Sequence, residues 1–414
     1  MGLGFVIGSL VHSAAPDIDS VPMVFFVNGV FDMGGRIFIA SLTLLVVPLV
    51  FVSLVCGASN LSDGSSMGRI GLKTTSLYLM TTAIAIALAL FAATTIEPGV
   101  GANLVTDTEF VAKESPSIKQ VFINIFPTNP IKAMAEGNML QIIVFAILIG
   151  VAINKSGEAG QRVRATLNDW NEVIMKLVLM LMSVAPIGVF CLMITLFANM
   201  GFSAITDLIK YFLTVILVLI VHFIFTYGLL LRFLARLNPV TFIKKFAPVM
   251  AYAFSTASSN ATLPVTMEAV EKRIGVKNEV ASFTVPLGAT INMDGTAIMQ
   301  GVATVFISQA YNIEISMMGY LMVILTATLA SIGTAGVPGV GLITLALVLT
   351  QVGLPVEGIA LIIGVDRLLD MLRTAVNVTG DATVSSIVAR SEDQFDENVF
   401  YDTAGPVEST PHSP

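Results

Sequence analysis

The sequence predicts an all-α polytopic membrane protein of about eight transmembrane helices and two re-entrant helical hairpins. Three observations carry this. Of 414 residues, 55% are hydrophobic and 12% charged, where soluble domains average about 25% charged, and the mean hydropathy is +0.86. Long runs nearly free of charge recur along the chain, and a run of about 18 apolar residues is enough to span a bilayer. Two further apolar segments are interrupted at their centres by small polar residues. No water-soluble packing covers so much apolar surface. No basic cluster extends beyond short loops, so nucleic acid is not an expected partner, and the lipid bilayer is.

The start, Met1 to His12, has no charged stretch of a cleavable leader and is too short to cross. It reads as the second half of a first helix, apparently truncated. Seven stretches then read as spans, at 36–59, 69–94, 119–154, 172–199, 206–235, 279–310 and 356–389. Pro127, Pro130 and Glu136-Gly137-Asn138 predict that 119–154 bends or splits. The segments 239–273 and 317–352 are broken by Ser255-Thr256-Ala257-Ser258-Ser259-Asn260-Ala261-Thr262 and by Ser331 through Gly339. Each flank of these breaks is short for a hydrocarbon core of about 30 Å at about 1.5 Å per residue. Two short helices joined at a polar tip satisfy that constraint, and irregular backbone at membrane depth belongs against protein or a wet cavity.

The two hairpins are each followed by a helix with a polar interruption. The first is Asn292-Met293-Asp294-Gly295-Thr296 and the second is Asn377-Val378-Thr379-Gly380-Asp381. Corresponding broken segments in two halves point to inverted repeats and a binding site at their interface.

Charge placement gives orientation. Loops with Arg69 and Lys73, with Lys155, Arg162 and Arg164, with Arg232, Arg236, Lys244 and Lys245, and with Lys272, Arg273 and Lys277 read as cytoplasmic. The stretch 97–118, with Glu97, Asp107, Glu109 and Glu114 against Lys113, reads as external. Trp170, the single tryptophan, falls at an inner interface. The acidic tail from about 391 reads as disordered and cytoplasmic. Cys56 and Cys191 sit in apolar runs and read as buried hydrophobes.

The last helix holds the densest chemistry. Asp366, Asp370, Arg373, Asn377 and Asp381 fall on one side at about 100° per residue, and each intramembrane charge costs about 2.5–3.5 kcal/mol. Asp381 with the amides of Asn377 and Asn292 suits a small hard cation stripped of water. Arg373 offers a planar fork for a substrate carboxylate, and Asp370 could take a substrate ammonium. The bland alternative is that Arg373 pairs with Asp370 or Asp366 and only holds helices together. The tip Ser258-Ser259-Asn260 offers hydroxyls and N–H groups to an anion, or simply caps a helix. The tip Gly336-Val337-Pro338-Gly339-Val340-Gly341 reads as a gate or as a static turn. Asn292-Met293-Asp294 in mid-helix unwinds backbone and frees carbonyls for a cation. His222 reads as a hydrogen-bonded structural histidine rather than a proton relay, and the methionines as packing. No nucleophile, base and orienter converge, so no catalytic residue and no enzyme are expected.

At these residues the chain resembles the dicarboxylate/amino acid:cation symporter family, which includes glutamate and aspartate transporters. The resemblance runs from about 36 to 390, through Ser258-Ser259 with Thr262-Leu263-Pro264, Gly288–Thr296, Ser331–Gly341 and Asp370–Asp381. It implies a glutamate-transporter-like elevator fold and a homotrimer. The implied divisions are scaffold helices in 1–68, a third helix of the transport domain in 69–96, and external loop and scaffold helices in 97–204. A transport domain at 205–390 and a tail at 391–414 complete the chain, with the second hairpin as gate.

It implies substrate contacts from Ser258, Ser259, Thr296, Val337, Gly341, Asp370, Arg373, Thr374 and Asn377. Arg373 stands where the family grips the side-chain carboxylate of aspartate or glutamate; neutral amino acid relatives lack that arginine. It also implies three sodium sites: Gly288, Asn292, Asn377 and Asp381; Thr290, Met293, Ser331, Ile332 and Thr334; and Tyr78, Thr81, Thr82, Asn292 and Asp294. Gln300 lies where proton-carrying mammalian relatives have Glu. Asn260-Ala261 replaces Ser-Gly of archaeal relatives, and Ala257 replaces an arginine whose charge Arg367 is a candidate to supply. The expected activity is sodium-coupled symport of L-aspartate or L-glutamate in a prokaryotic inner membrane, with Na+ as coupling ion and no other cofactor. C4-dicarboxylate symport is the nearest alternative, ahead of neutral amino acid symport or a channel.

Overall fold

Where the backbone is described, its hydrogen bonding closes mainly within helices, as apolar surroundings demand. The computed structural model describes residues 2–14, 20, 22–59, 65–101, 123, 126–200, 203–332, 334 and 336–402. Among them the elements are helical, with one isolated antiparallel bridge between Val276 and Phe395.

In order, α1 is Gly2–Ala14, and a π-helical turn Pro22–Phe31 leads into α2, Asp32–Ser59. Then come α3 (Ser65–Ile96), α4 (Pro130–Ala135), α5 (Met139–Lys155), α6 (Gly157–Ser183) and α7 (Ala185–Met200). Next, α8 (Ser203–Val221) passes through a π-helical turn, His222–Tyr227, into α9, Gly228–Phe233. Among the described residues, three stretches are long and apolar enough to cross a membrane: Met23–Cys56, Gly68–Ile96 and Leu208–Phe233. The pair Gly157–Leu181 and Ala185–Thr195, bent by 47°, makes a fourth.

Several boundaries correct the sequence reading. The span expected at 172–199 begins at Gly157 and breaks at Val184. Lys155, Arg162 and Arg164 therefore lie on helices rather than in a loop, on the amphipathic first turns of α6 and the end of α5. The split expected in 119–154 is present as α4 and α5, separated by Glu136–Asn138. The acidic stretch 102–118 lies outside the described residues.

Both interrupted segments are pairs of helices joined at the polar interruption, the arrangement expected of a hairpin. The first is α10 (Pro239–Thr256) and α11 (Ser259–Ala269), the latter running into a π-turn at Val270–Ile274. Asn238 caps α10 by accepting from Val240 N, with Pro239 pre-set for a first turn. Ala257 turns the tip in the left-handed region at φ 51, and Ser258 caps α11 through Ala261 N. The second hairpin is α14 (Met317–Ser331) and α15 (Val340–Gln351), entered through Gly339 at φ 83. Between the hairpins, α12 (Asn278–Ile291) and α13 (Asp294–Ala310) are one helix broken at Asn292-Met293, where the backbone leaves helical geometry. The break matches the expected unwinding. Finally α16, Ile359–Ser391, carries the charged face.

The tail from 391 is not wholly irregular. Residues 397–401 form α17, and Phe400 is fully buried. Asp396 N donates to Gly275 O (2.7 Å), Lys277 N to Gln394 O (3.0 Å) and Lys245 Nζ to Val399 O (2.6 Å). Two phenylalanines, Phe395 and Phe400, supply the apolar contact that composition alone understated. Residues 403–414 lie outside the described residues. Just past the end of α16, Glu392 receives Arg69 Nη2 (2.6 Å) and Lys73 Nζ (2.5 Å). Hydrogen bonds from Arg69 and then Lys73 hold the Glu392 carboxyl down to about 2.

Candidate functional site

The polar residues of α16 face inward together. Asp366, Asp370, Arg373, Thr374, Asn377 and Asp381 are all buried, and Arg373 is fully enclosed. That face meets the break between α12 and α13 and the start of α15. Gly295 N donates to Asn377 Oδ1 (2.7 Å), and Asn377 Nδ2 to Met293 Sδ (3.3 Å). Asn292 Nδ2 donates to Asp381 Oδ1 (2.8 Å) and to Asn377 O (3.1 Å), while Asn292 Oδ1 is buried without a partner.

Arg373 sits between two carboxylates. Its Nη2 donates to Asp370 Oδ1 (2.8 Å), and its Nη1 lies 2.9 Å from Asp366 Oδ1 without hydrogen-bond geometry. Nε and Nη1 are buried and make no hydrogen bond. Asp370 Oδ2 accepts from Gly339 N (3.1 Å), so one carboxylate touches both the guanidinium and the second hairpin. A Cβ on Gly341 would lie within 3.5 Å of Arg373 Nη2 and 3.2 Å of Thr296 Cγ2, which places the start of α15 over both. Thr374 donates to Asp370 O (2.8 Å).

The hairpin tips meet. Gly336 O accepts from Ser258 Oγ (2.6 Å) and from Asn260 N (3.0 Å). Ser259 is buried and Val337 half-buried beside them. Ser258 therefore both caps its helix and bonds to the opposite tip. Arg367, a candidate to replace the charge missing at Ala257, is exposed and turned away from the buried face.

The predicted cation groups differ in how far they converge. Gly288, Asn292, Asn377 and Asp381 come together: a Cβ on Gly288 would strike both Asp381 and the Tyr78 hydroxyl. Asp294 is fully buried and accepts from Thr82 Oγ1 (2.6 Å), His222 Nε2 (3.1 Å) and Tyr227 Oη (2.8 Å). On α3, Tyr78 lies one turn before Thr82 and Thr81 directly precedes it; the Tyr78 hydroxyl donates to Thr284 O, and Thr81 donates to Tyr78 O. In the remaining group, Thr290, Ser331 and Thr334 each donate to a carbonyl of their own turn, and Thr290 is exposed. Thr334 N donates to Ser331 O (3.2 Å) within the turn, but among the described residues no side-chain hydrogen bond joins these three to one another, to Ile332 or to Met293. Gln300 Nε2 donates to Thr344 Oγ1 (2.7 Å), tying α13 to α15.

Charge balance decides what such a site can hold. Arg373 is already faced by Asp366 and Asp370, while among the described residues Asp294 and Asp381 receive no Lys or Arg. Buried ions need partners, so the cluster is short of positive charge by composition. Tyr227 was missed in the sequence because α-helical periodicity separates it from His222.

A family model described as the sodium:dicarboxylate symporter family matches residues 1–391. The proton/glutamate-aspartate symporter of Escherichia coli (strain K12) is 35% identical over 413 residues, covering 96% of this chain and 92% of that one. The proton/sodium-glutamate symport protein of Bacillus caldotenax is 34% identical over 372 residues, covering 88% of each. The neutral amino acid transporter B(0) of Bos taurus is 36% identical over 388 residues, covering 85% of this chain and 72% of that one.

Proposed function

We propose that this chain, which belongs to the sodium:dicarboxylate symporter family, couples inward sodium movement to uptake of L-aspartate or L-glutamate. The observation that carries the reading is the guanidinium of Arg373, fully buried with Nε and Nη1 making no hydrogen bond. Nη1 and Nε lack hydrogen bonds even beside the Asp366 and Asp370 carboxylates, which is costly for buried donors, and a planar substrate carboxylate is a group that matches them. Asp370, within reach of Arg373 and the second tip, takes the substrate ammonium. Thr296, Thr374, Asn377, Ser258, Ser259, Val337 and Gly341 complete the substrate contacts.

Sodium fills the deficit of positive charge at Asp381, with Gly288, Asn292 and Asn377, and at Asp294, with Tyr78, Thr81, Thr82 and Asn292. The orphaned Asn292 Oδ1 supports this, since a buried carbonyl oxygen without a donor suits a hard cation. A third ion at Thr290, Met293, Ser331, Ile332 and Thr334 requires those residues to converge when the second hairpin moves. The transport domain, 69–96 with 205–390, slides as an elevator against scaffold helices within 1–68 and 97–204, with the second hairpin as gate, in a homotrimer of a prokaryotic inner membrane. Closed tips, bonded through Ser258 and Gly336, support a gate at that position.

Similarity alone does not choose the cargo, because relatives with glutamate and with neutral amino acids in their names match almost equally. Arg373 favours the acidic class. Uptake of labelled aspartate into proteoliposomes, competed with glutamate, succinate and serine, tests this. Glutamate or unlabelled aspartate is expected to compete, and serine not. Succinate competing better than either amino acid would transfer the chain to C4-dicarboxylates.

A further inference from the structure

The helix beginning at Ser203 changes winding where it passes Asp294. Residues His222–Tyr227 form a wider π-helical turn before α-helix resumes at Gly228. In an α-helix, positions five apart point about 140° away from each other; the i→i+5 turn carries them toward one side, and such turns recur at functional sites. His222 and Tyr227 are five apart, and both reach the same atom. His222 Nε2 lies 3.1 Å and Tyr227 Oη 2.8 Å from Asp294 Oδ2. Their rings pack edge to face, with centroids 4.8 Å apart.

Two further features show that this contact is built. Gly380 on α16 makes room for it, because a Cβ there would meet both Tyr227 Oη and Asn292 Nδ2 at 2.5 Å. His222 is fully buried, and its Nδ1 has no hydrogen-bond partner. An imidazole buried with one nitrogen unsatisfied is a poor packing residue. Its bond to Asp294 is what it supplies that an apolar side chain cannot.

We infer that His222 is a positioning residue for a small monovalent cation at Asp294. With Tyr227 it occupies Oδ2, so the carboxylate is fixed with Oδ1, shared with Thr82, presented to the ion. Groups that hold a ligand by its far side set ion affinity, commonly about 10–100-fold on removal. The inference rests on the cation role proposed above for Asp294.

The test is thermal stabilisation of the purified full-length protein, titrated with NaCl against choline chloride at constant ionic strength. His222→Leu is expected to raise the sodium concentration for half-maximal stabilisation about tenfold. Tyr227→Phe, which keeps the ring and loses one donor, moves it the same way. His222→Gln, whose amide nitrogen can reach the same oxygen, stays within about threefold of the parent. A His222→Leu titration that overlays the parent overturns the inference. So does a His222→Gln shift as large as that of Leu, which would mark a packing role. Should His222→Leu not fold, Tyr227→Phe decides, and an unshifted titration there is equally fatal. A parent protein with no sodium-dependent stabilisation at all removes the cation reading itself, and this inference with it.

Discussion

The two ends of α16 handle charge in opposite ways. Along its middle, Asp366, Asp370, Arg373 and Asp381 are buried, and their contacts are mutual or come from neutral groups. At its C-terminal end, Arg390 pairs with Glu397, and Glu392 with Arg69 and Lys73, where most of the partners are exposed. In each of these pairs at least one member stays exposed, although the Glu392 side chain is itself largely covered, and pairs screened by water in this way contribute little. Buried charges persist only where something compensates their desolvation. The middle of the helix is therefore where a solute and its ions are expected, and the end is where helices are tied together.

Removing Arg373 is the strongest way to break the contrast. Truncating one side of a buried charge pair between protein and ligand costs about 2–5 kcal/mol of binding, so Arg373→Ala should lower aspartate affinity about 100-fold, read on protein that elutes as a single species. Unchanged aspartate affinity would sink the substrate assignment. Asp381→Asn comes next. It should raise the sodium requirement for uptake about tenfold, and an unaltered sodium titration would remove Asp381 from the cation site.

Ser258→Ala tests the tip contact. It deletes the bond to Gly336 O, worth about 1 kcal/mol, and should speed release of bound aspartate about fivefold. A release rate equal to the parent's would show that the tips do not latch through this hydroxyl.

The smallest effect belongs to the exposed end. Glu392 lies at about 2 rather than the ordinary 4.5. A depressed carboxylate stabilises the folded state above its unfolded value, and that contribution fades as pH falls toward the folded one. The melting-temperature gap between parent and Glu392→Gln should be small and constant above about pH 5, then close as the pH falls below it. Added salt should narrow it. A gap that widens in acid would contradict the assignment.

Much of this was readable in the residues. Small polar clusters inside apolar runs marked both hairpin tips and the break at Asn292-Met293, because no straight span would hold them. The one-sided spacing of Asp366 through Asp381 marked the buried face. Other features lay beyond local pattern. The turn at His222–Tyr227 brings both residues to Asp294, some seventy positions away in the chain. The bend at Val184 falls inside a continuous apolar run, between the apolar end of α6 and the apolar α7. The docked tail depends on Phe400 finding a buried site under an otherwise acidic stretch. Arg367 shows the converse: adjacent to Asp366 in sequence, it is rotated out of the site by the helix itself.

Coupling at the buried face is the central claim, and gradient-driven accumulation measures it directly. Proteoliposomes loaded with choline buffer and diluted into sodium buffer should concentrate labelled aspartate above its external level, in a manner lost when external sodium is replaced by choline. Accumulation that is equal in choline, or that follows an imposed proton gradient without sodium, would contradict sodium coupling at Asp294 and Asp381.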